Sequence, residues 1–185
     1  MLFRNHPAAL VLGVLVLALA AAPVFAERDV LPFLDYRTES WFLPQSPGVT
    51  AGPAGGLFNP SVWAMNDRVG SDFWWNTSNV RRGLDNYGFG IGKNINFAMN
   101  TTTWGTEEES YQTYDYQLGL AKGSRLGAVG LSYRWAHGET DRQPRQKTLG
   151  LGLAGRPRSW SSFGAAANIS LESSAAQYVF DLGVR

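Results

Sequence analysis

Apolar and polar residues alternate along the chain from residue 86 to its last residue. In the segment that contains Tyr87, Phe89 and Ile91, each apolar side chain is followed by a glycine. The same rhythm returns in six later segments, where mainly Gly, Asn, Ser, Gln, Asp or Arg stands between the apolar residues. A period of two places the apolar set on one face of a β-strand and the polar set on the other. The pattern therefore predicts amphipathic strands.

Counting from Ser71, the pattern predicts eight strands, and most have about the 9 to 11 residues that a tilted strand needs to cross a bilayer. Their predicted bounds are 71–78, 84–92, 95–104, 111–122, 125–136, 146–155, 160–171 and 176–185. The sequence thus indicates an all-β fold, namely an antiparallel up-and-down transmembrane β-barrel of about eight strands behind an irregular N-terminal lead-in.

The connections between these strands alternate in length. The short ones are Lys93-Asn94, Gly123-Ser124 and residues 156–159, and the longer polar ones are residues 105–110, 137–145 and 172–175. Outer-membrane barrels have short periplasmic turns and long outward loops. With short turns in the periplasm, both ends of the predicted barrel lie on the periplasmic side.

The N-terminus has the features of an export signal. Arg4 supplies a positive charge, residues 8–22 form an apolar run, and Val24-Phe25-Ala26 places small residues before a cleavage site. We therefore divide the chain into a signal peptide (1–26), a lead-in rich in Pro and Gly (27–70) and a barrel (71–185). Within the lead-in, residues 61–67 are predicted to form one helical turn after Asn59-Pro60.

Composition narrows the function classes. The chain has no cysteine and a net charge of +1, and its Lys and Arg residues are scattered along the sequence. A nucleic-acid partner is not expected, because such proteins carry a concentrated basic face. An exported chain with amphipathic strands is expected in the outer membrane, in contact with lipid, lipopolysaccharide and the barrel assembly machinery.

Two groups of side chains are candidate functional residues. The predicted lumen face carries polar and charged candidates, namely Asp115, Arg134, Asp181, Asn96 and Gln117. Buried charges need partners, so we expect the ion pairs Asp115–Arg134 and Asp181–Arg134. The predicted aromatic girdle, at the height where Trp and Tyr favour the membrane–water boundary, consists of Trp104, Tyr133, Trp135, Trp160 and Tyr178.

Catalytic signatures are sparse. His137 with Ser132 is the one candidate base and nucleophile, as for a lipid-modifying enzyme, but alternation places Ser132 on the lumen face, away from lipid. No cluster of residues has the spacing of metal ligands. We expect no catalysis, no cofactor and no metal.

Two resemblances add to this interpretation. The strand count over 71–185 resembles the small outer-membrane barrels of the OmpA/OmpX type. The stretch from Gly55 to Ala64, which contains Asn59-Pro60, is similar to the NPA motif near the N-terminus of FadL/PorV-type barrels. The second resemblance implies more strands than eight and a role in transport of hydrophobic compounds or in secretion.

Three functions remain open from the sequence. The first is a structural anchor or surface binder in the outer membrane, and the second is the N-terminal part of a larger FadL/PorV-type barrel with a small hydrophobic ligand. The third is a soluble periplasmic lipocalin-like binding barrel, whose apolar faces would point inward. Outer-membrane barrels usually finish on an aromatic residue, so the ending at Arg185 indicates either a chain cut short or a barrel that continues into another domain.

Overall fold

The computed structural model describes residues 53–76, 86–105, 109–140 and 145–184, and one antiparallel sheet dominates it. Each strand pairs with its neighbours in sequence, so the sheet is up-and-down. The strands are β1 (Gly70–Asn76), β2 (Asn86–Gly92), β3 (Ile95–Gly105), β4 (Ser110–Ser124), β5 (Gly127–Gly138), β6 (Thr148–Arg158), β7 (Ser161–Ser170) and β8 (Ala176–Val184). The all-β class and all eight predicted strands are confirmed.

Two of the three predicted short turns lie later in the chain than expected. The turn at Lys93-Asn94 is as predicted, but β4 remains paired through Ser124, so the next turn is Arg125-Leu126. Strand β6 extends to Arg158 because a register shift between Gly155 and Arg158 accommodates the intervening proline. A bulge is one of the few places in a sheet that tolerate proline.

The two faces of the sheet differ in chemistry as the alternation predicts. We call the face that carries the buried residues Asn96, Gln117 and Ser132 the inner face. The other, outer face exposes large apolar side chains, including Phe73, Trp75, Phe89, Ile91, Ile95, Leu118, Leu120, Val129, Leu131, Leu151, Ile169, Phe180 and Leu182. This distribution is the reverse of that in a soluble barrel with an apolar interior.

A short segment before β1 covers the inner face. It comprises helix α1 (Pro53–Gly56) and a 3-10 helix (Pro60–Met65), and we call residues 53–65 the plug segment. Asn59 is the N-cap of the 3-10 helix and Pro60 is its first residue, so the predicted helical turn is confirmed. The plug segment contacts β1, β2, β4, β5 and β6, so the sheet must curve around it.

The described strands do not form a closed barrel. Within the described residues, β1 pairs with β2 alone and β8 with β7 alone. Residues 1–52, and with them the predicted signal peptide, lie outside the described residues.

No helix in the described ranges has the length and apolar character needed to span a membrane.

The β4–β5 hairpin provides a matched pair of glycine substitutions. Gly123 has a φ of +150°, and a Cβ there would collide with Ala128, whereas a Cβ at Gly127 would meet nothing within 4 Å. We expect Gly123→Ala to lower the free energy of unfolding by about 1–3 kcal/mol and Gly127→Ala to change it by less than about 0.5 kcal/mol. Denaturant unfolding of the folded protein measures both, and equal effects would show that the positive φ does not hold the hairpin.

Candidate functional site

The candidate site is the interface between the plug segment and the inner face, where buried apolar side chains and buried hydrogen bonds occur together. Leu57, Phe58, Val62, Trp63 and Met65 of the plug segment are each at most 5% exposed. Burial of such side chains contributes about 1.5–3 kcal/mol each. The inner face is polar and rich in glycine, so these apolar side chains pack mainly on one another and on small residues of the strands.

Three glycines of the inner face give the plug segment its close approach. A Cβ at Gly90 would lie 2.7 Å from Pro53 Cβ and 2.9 Å from the Trp63 ring. A Cβ at Gly152 would lie 2.8 Å from Pro60 Cδ, and one at Gly130 would overlap the backbone of Pro60. Any larger residue at these positions would push the plug segment away from the sheet.

Asn59 connects the 3-10 helix to the sheet. Its Oδ1 accepts hydrogen bonds from Ser61 N at 3.1 Å and from Ser61 Oγ at 2.6 Å. Its Nδ2 donates to Leu153 O on β6 at 3.1 Å and to Ala165 O on β7 at 3.4 Å. One side chain thus caps the helix and fixes its position on two strands.

Gln117 and Arg134 bind the carbonyl groups at the end of α1. Gln117 Nε2 donates to Gly56 O at 2.7 Å, and Arg134 Nη2 donates both to Leu57 O and to Gln117 Oε1, the latter at 2.8 Å. All of these groups are buried. A buried carbonyl without a donor costs about 1–3 kcal/mol, so the two side chains stabilise the docked plug segment directly.

The predicted lumen residues occupy the inner face, but their partners differ in part from those predicted. Asp115 forms its ion pair with Arg145 (Oδ1 to Nε, 3.4 Å), and both side chains are at most 4% exposed. Arg134 is a second positive charge that acts on Asp115. The sequence had placed Arg145 in a polar loop and therefore missed it as the ion-pair partner. The pair Asp181–Arg134 stays a prediction, with Asp181 half-buried on β8.

Asn96 is the remaining predicted lumen residue, and it is also buried on the inner face. Its amide has no hydrogen-bond partner among the residues that the structure describes. A Cβ at Gly119, its partner across β3 and β4, would meet this amide. The glycine therefore makes room for the Asn96 side chain.

The predicted girdle residues lie on the strands as follows. Tyr133 and Trp135 lie in the C-terminal half of β5, with their ring centroids 5.6 Å apart. The Trp135 ring also stacks on the ring of Tyr116, with centroids 5.5 Å apart. Trp160 lies in the turn between β6 and β7, with the Arg158 guanidinium 5.5 Å from its ring centroid. Trp104 on β3 lies opposite Tyr111 on β4, and Tyr178 on β8 lies opposite Ala167 on β7.

The candidate catalytic pair is separated. Ser132 is buried on the inner face, whereas His137, five positions further along β5, is exposed and has the alternation of the outer face. Over the described part of the chain, no group of three or more His, Cys, Asp or Glu side chains could hold a metal ion.

No protein-family model, curated protein or solved structure matches this chain.

The alternating pattern of the sequence did not predict the contacts of the plug segment, because residues 53–65 do not themselves alternate. One signal pointed to them. Glycines at positions 90, 130 and 152 recur on the polar face of three strands. In the structure these glycines accommodate the main chain of the plug segment.

Arg134 allows a direct test of the docked plug segment. We expect Arg134→Met to undock residues 53–65 part of the time, because Leu57 O and Gln117 Oε1 lose a charged donor worth about 1.5–3 kcal/mol per bond. The natural chain has no cysteine, so Ala64→Cys, at a position that is 1% exposed, provides a single reporter thiol. Maleimide labelling of this introduced thiol should be about ten-fold faster or more when Arg134→Met is added.

Lys147→Gln is the matched control for that experiment. It also removes a positive charge from the sheet, but Lys147 is exposed and pairs with Glu172 at 3.2 Å, away from the plug segment. Equal labelling rates in the two backgrounds would contradict a holding role for Arg134.

Proposed function

We propose that this chain forms part of the wall of an outer-membrane β-barrel and closes the lumen with its own plug segment. The observation that carries the proposal is the outer face, where large apolar side chains remain exposed across all eight strands. Soluble monomers seldom expose an apolar surface of this extent. Hydrocarbon lipid is the solvent that matches it, and the polar, glycine-containing inner face matches a lumen.

An interior occupied by main chain argues for a barrel of more than eight strands. Closed eight-stranded barrels have room only for side chains, whereas this sheet curves around a helical segment that contacts strands from β1 to β7. In hydrocarbon, the free edges of β1 and β8 require pairing partners, because unpaired backbone groups cannot be hydrated there. Strands beyond the eight described here would provide them.

The role we propose is gated passage of small hydrophobic compounds. The stretch that resembles the NPA motif of FadL/PorV-type barrels lies within the plug segment, where Asn59 binds β6 and β7 and Pro60 lies against Gly130 and Gly152. Gln117, Arg134 and Asn59 make a few polar contacts between the plug segment and the sheet. The plug segment would have to break these hydrogen bonds, and replace them, for the lumen to open. This role involves no catalysis and no cofactor.

A structural or surface-binding anchor is the second candidate, favoured by how completely the inner face is filled. The side chains of Asp115, Arg145, Gln117 and Arg134 are all buried in the described structure, as expected of a lumen that conducts nothing. The two roles differ in one experiment. Vesicles that contain the protein should release an entrapped amphiphilic dye, one that crosses the bilayer itself only slowly, faster than protein-free vesicles if it is a passage, and at the same rate if it is an anchor.

The lipocalin-like alternative requires the opposite distribution of side chains. It needs an apolar interior and a hydrated exterior, whereas Phe73, Trp75 and Leu182 are on average two-thirds exposed on the outer face. We therefore do not propose a soluble binding barrel.

A charge placed on the outer face tests the membrane assignment. Leu118 lies mid-strand on β4 and is 51% exposed, while Leu126 lies in the β4–β5 turn and is 70% exposed. In a bilayer, Leu118→Arg should lower the free energy of unfolding by about 2–4 kcal/mol and Leu126→Arg by at most about 1 kcal/mol. In water, neither change would cost more than about 0.5 kcal/mol.

The measurement is denaturant unfolding of the protein in lipid vesicles, combined with the gel mobility of heated and unheated outer-membrane fractions. A heat-dependent shift that Leu118→Arg weakens and Leu126→Arg preserves is the expected result. Equal unfolding midpoints for the two variants would contradict insertion with this face in lipid.

A further inference from the structure

Basic residues that are scattered in the sequence gather at one rim of the folded sheet. The tight turns Lys93-Asn94, Arg125-Leu126 and Ser159-Trp160 all lie at the same end of the strands, and we call this end the tight-turn rim. The basic residues that the described structure places there are Arg68, Lys93, Lys122, Arg125, Arg156 and Arg158, and the acidic ones are Asp67 and Asp72. The tight-turn rim is therefore strongly positive.

The opposite rim has the other sign of charge. Its described acidic residues are Glu109, Glu139 and Glu172, and its exposed basic residue is Lys147, which pairs with Glu172. The separation of charge between the two rims arises from the up-and-down topology, which brings every second connection to the same side.

The basic residues of the tight-turn rim are neighbours in space. Lys93 Nζ donates to Asp67 O at 2.7 Å, and Arg125 Nε lies 4.0 Å from Asp67 Oδ2. The backbone N–H of Arg156 donates to Arg125 O at 3.0 Å, which joins the second and third tight turns. Lys93 and Arg125 thus lie on either side of Asp67, and the Arg125 side chain is 73% exposed.

An apolar groove on the outer face begins directly beside these cations. Ile95, Leu120, Val129 and Leu131 line it, and Lys122 stands at its end. Lys122 is exposed, and it lies opposite Val129 in the β4–β5 register, two positions after Leu120 on the same face. A cation at the end of an aliphatic groove matches a ligand with a phosphate at one end and an acyl chain at the other.

We infer that the tight-turn rim binds an anionic glycerophospholipid, with the phosphate on Lys122 and Arg125 and an acyl chain along the groove lined by Ile95, Leu120 and Val129. This inference rests on the proposed function, because it needs the outer face in a bilayer. Short turns of outer-membrane barrels face the periplasm, and the leaflet on that side consists of glycerophospholipids. Cations at a membrane surface attract anionic headgroups, so the rim fixes the depth and direction of the sheet.

The test uses the full chain, expressed in cells, purified in detergent from the membrane fraction and mixed with equal amounts of phosphatidylglycerol and phosphatidylcholine. Native mass spectrometry gives the ratio of the two lipids that remain bound. Each basic residue near a membrane surface contributes about 1 kcal/mol of attraction, or about five-fold in affinity. With two such residues, Lys122 and Arg125, on the phosphate, the wild-type protein should retain phosphatidylglycerol about 25-fold in excess.

Single-charge variants locate the site. Lys122→Gln should lower the lipid ratio by about five-fold, and adding Arg125→Gln and Arg158→Gln should bring it to about one. Lys147→Gln, at the opposite rim, removes the same charge and should leave the ratio unchanged.

Two results would overturn the inference. One is equal retention of both lipids by the wild-type protein, and the other is an equal loss of preference in Lys122→Gln and Lys147→Gln. Flotation with vesicles of either lipid separates this failure from that of the proposed function. A protein that floats with both without preference refutes only the lipid site, whereas a protein that floats with neither refutes both proposals.

Discussion

The docking of the plug segment on the sheet depends on hydrogen bonds that side chains of the strands donate to it. Gly56 O and Leu57 O end a single turn of helix inside the sheet, where water cannot satisfy them, and Gln117 and Arg134 supply the donors. Because these donors stand on neighbouring strands, β4 and β5, they fix the plug segment at one position. Asn59 extends the same principle to β6 and β7.

The curvature of the sheet follows from this docking. A plug segment that contacts both β1 and β6 forces the intervening strands to bend around it, and the glycines at positions 90, 130 and 152 allow its backbone close to theirs. A sheet bent to this extent has its apolar residues on the outside. The polar inner face therefore packs on the plug segment, whose polar groups it hydrogen-bonds, and the apolar outer face remains exposed.

The strands could be predicted from the sequence because their signal is local. A period of two, interrupted by turn residues, determines strand existence and facing, and both agree with the structure over the described strands. The two displaced turns differ for specific reasons, since Gly123 remains within the ladder with a positive φ and a bulge accommodates Pro157. The plug contacts and the Asp115–Arg145 pair could not be predicted, because they join residues far apart in sequence through the curvature of the sheet. The tight-turn rim could not be predicted for the same reason. Its basic residues are dispersed in the sequence, and only the topology of the sheet brings them to one end.

The most direct test of the central claim is a spin-label scan of β4 in lipid vesicles. Because the chain has no cysteine, single cysteines at Asp115, Tyr116, Gln117, Leu118, Gly119 and Leu120 can each carry one nitroxide. Our account predicts a period of two, with high collision rates with oxygen and low rates with a water-soluble nickel complex at positions 116, 118 and 120, and low rates with both at the others. Strong collisions with the nickel complex at positions 118 and 120 would place the outer face in water and contradict the account.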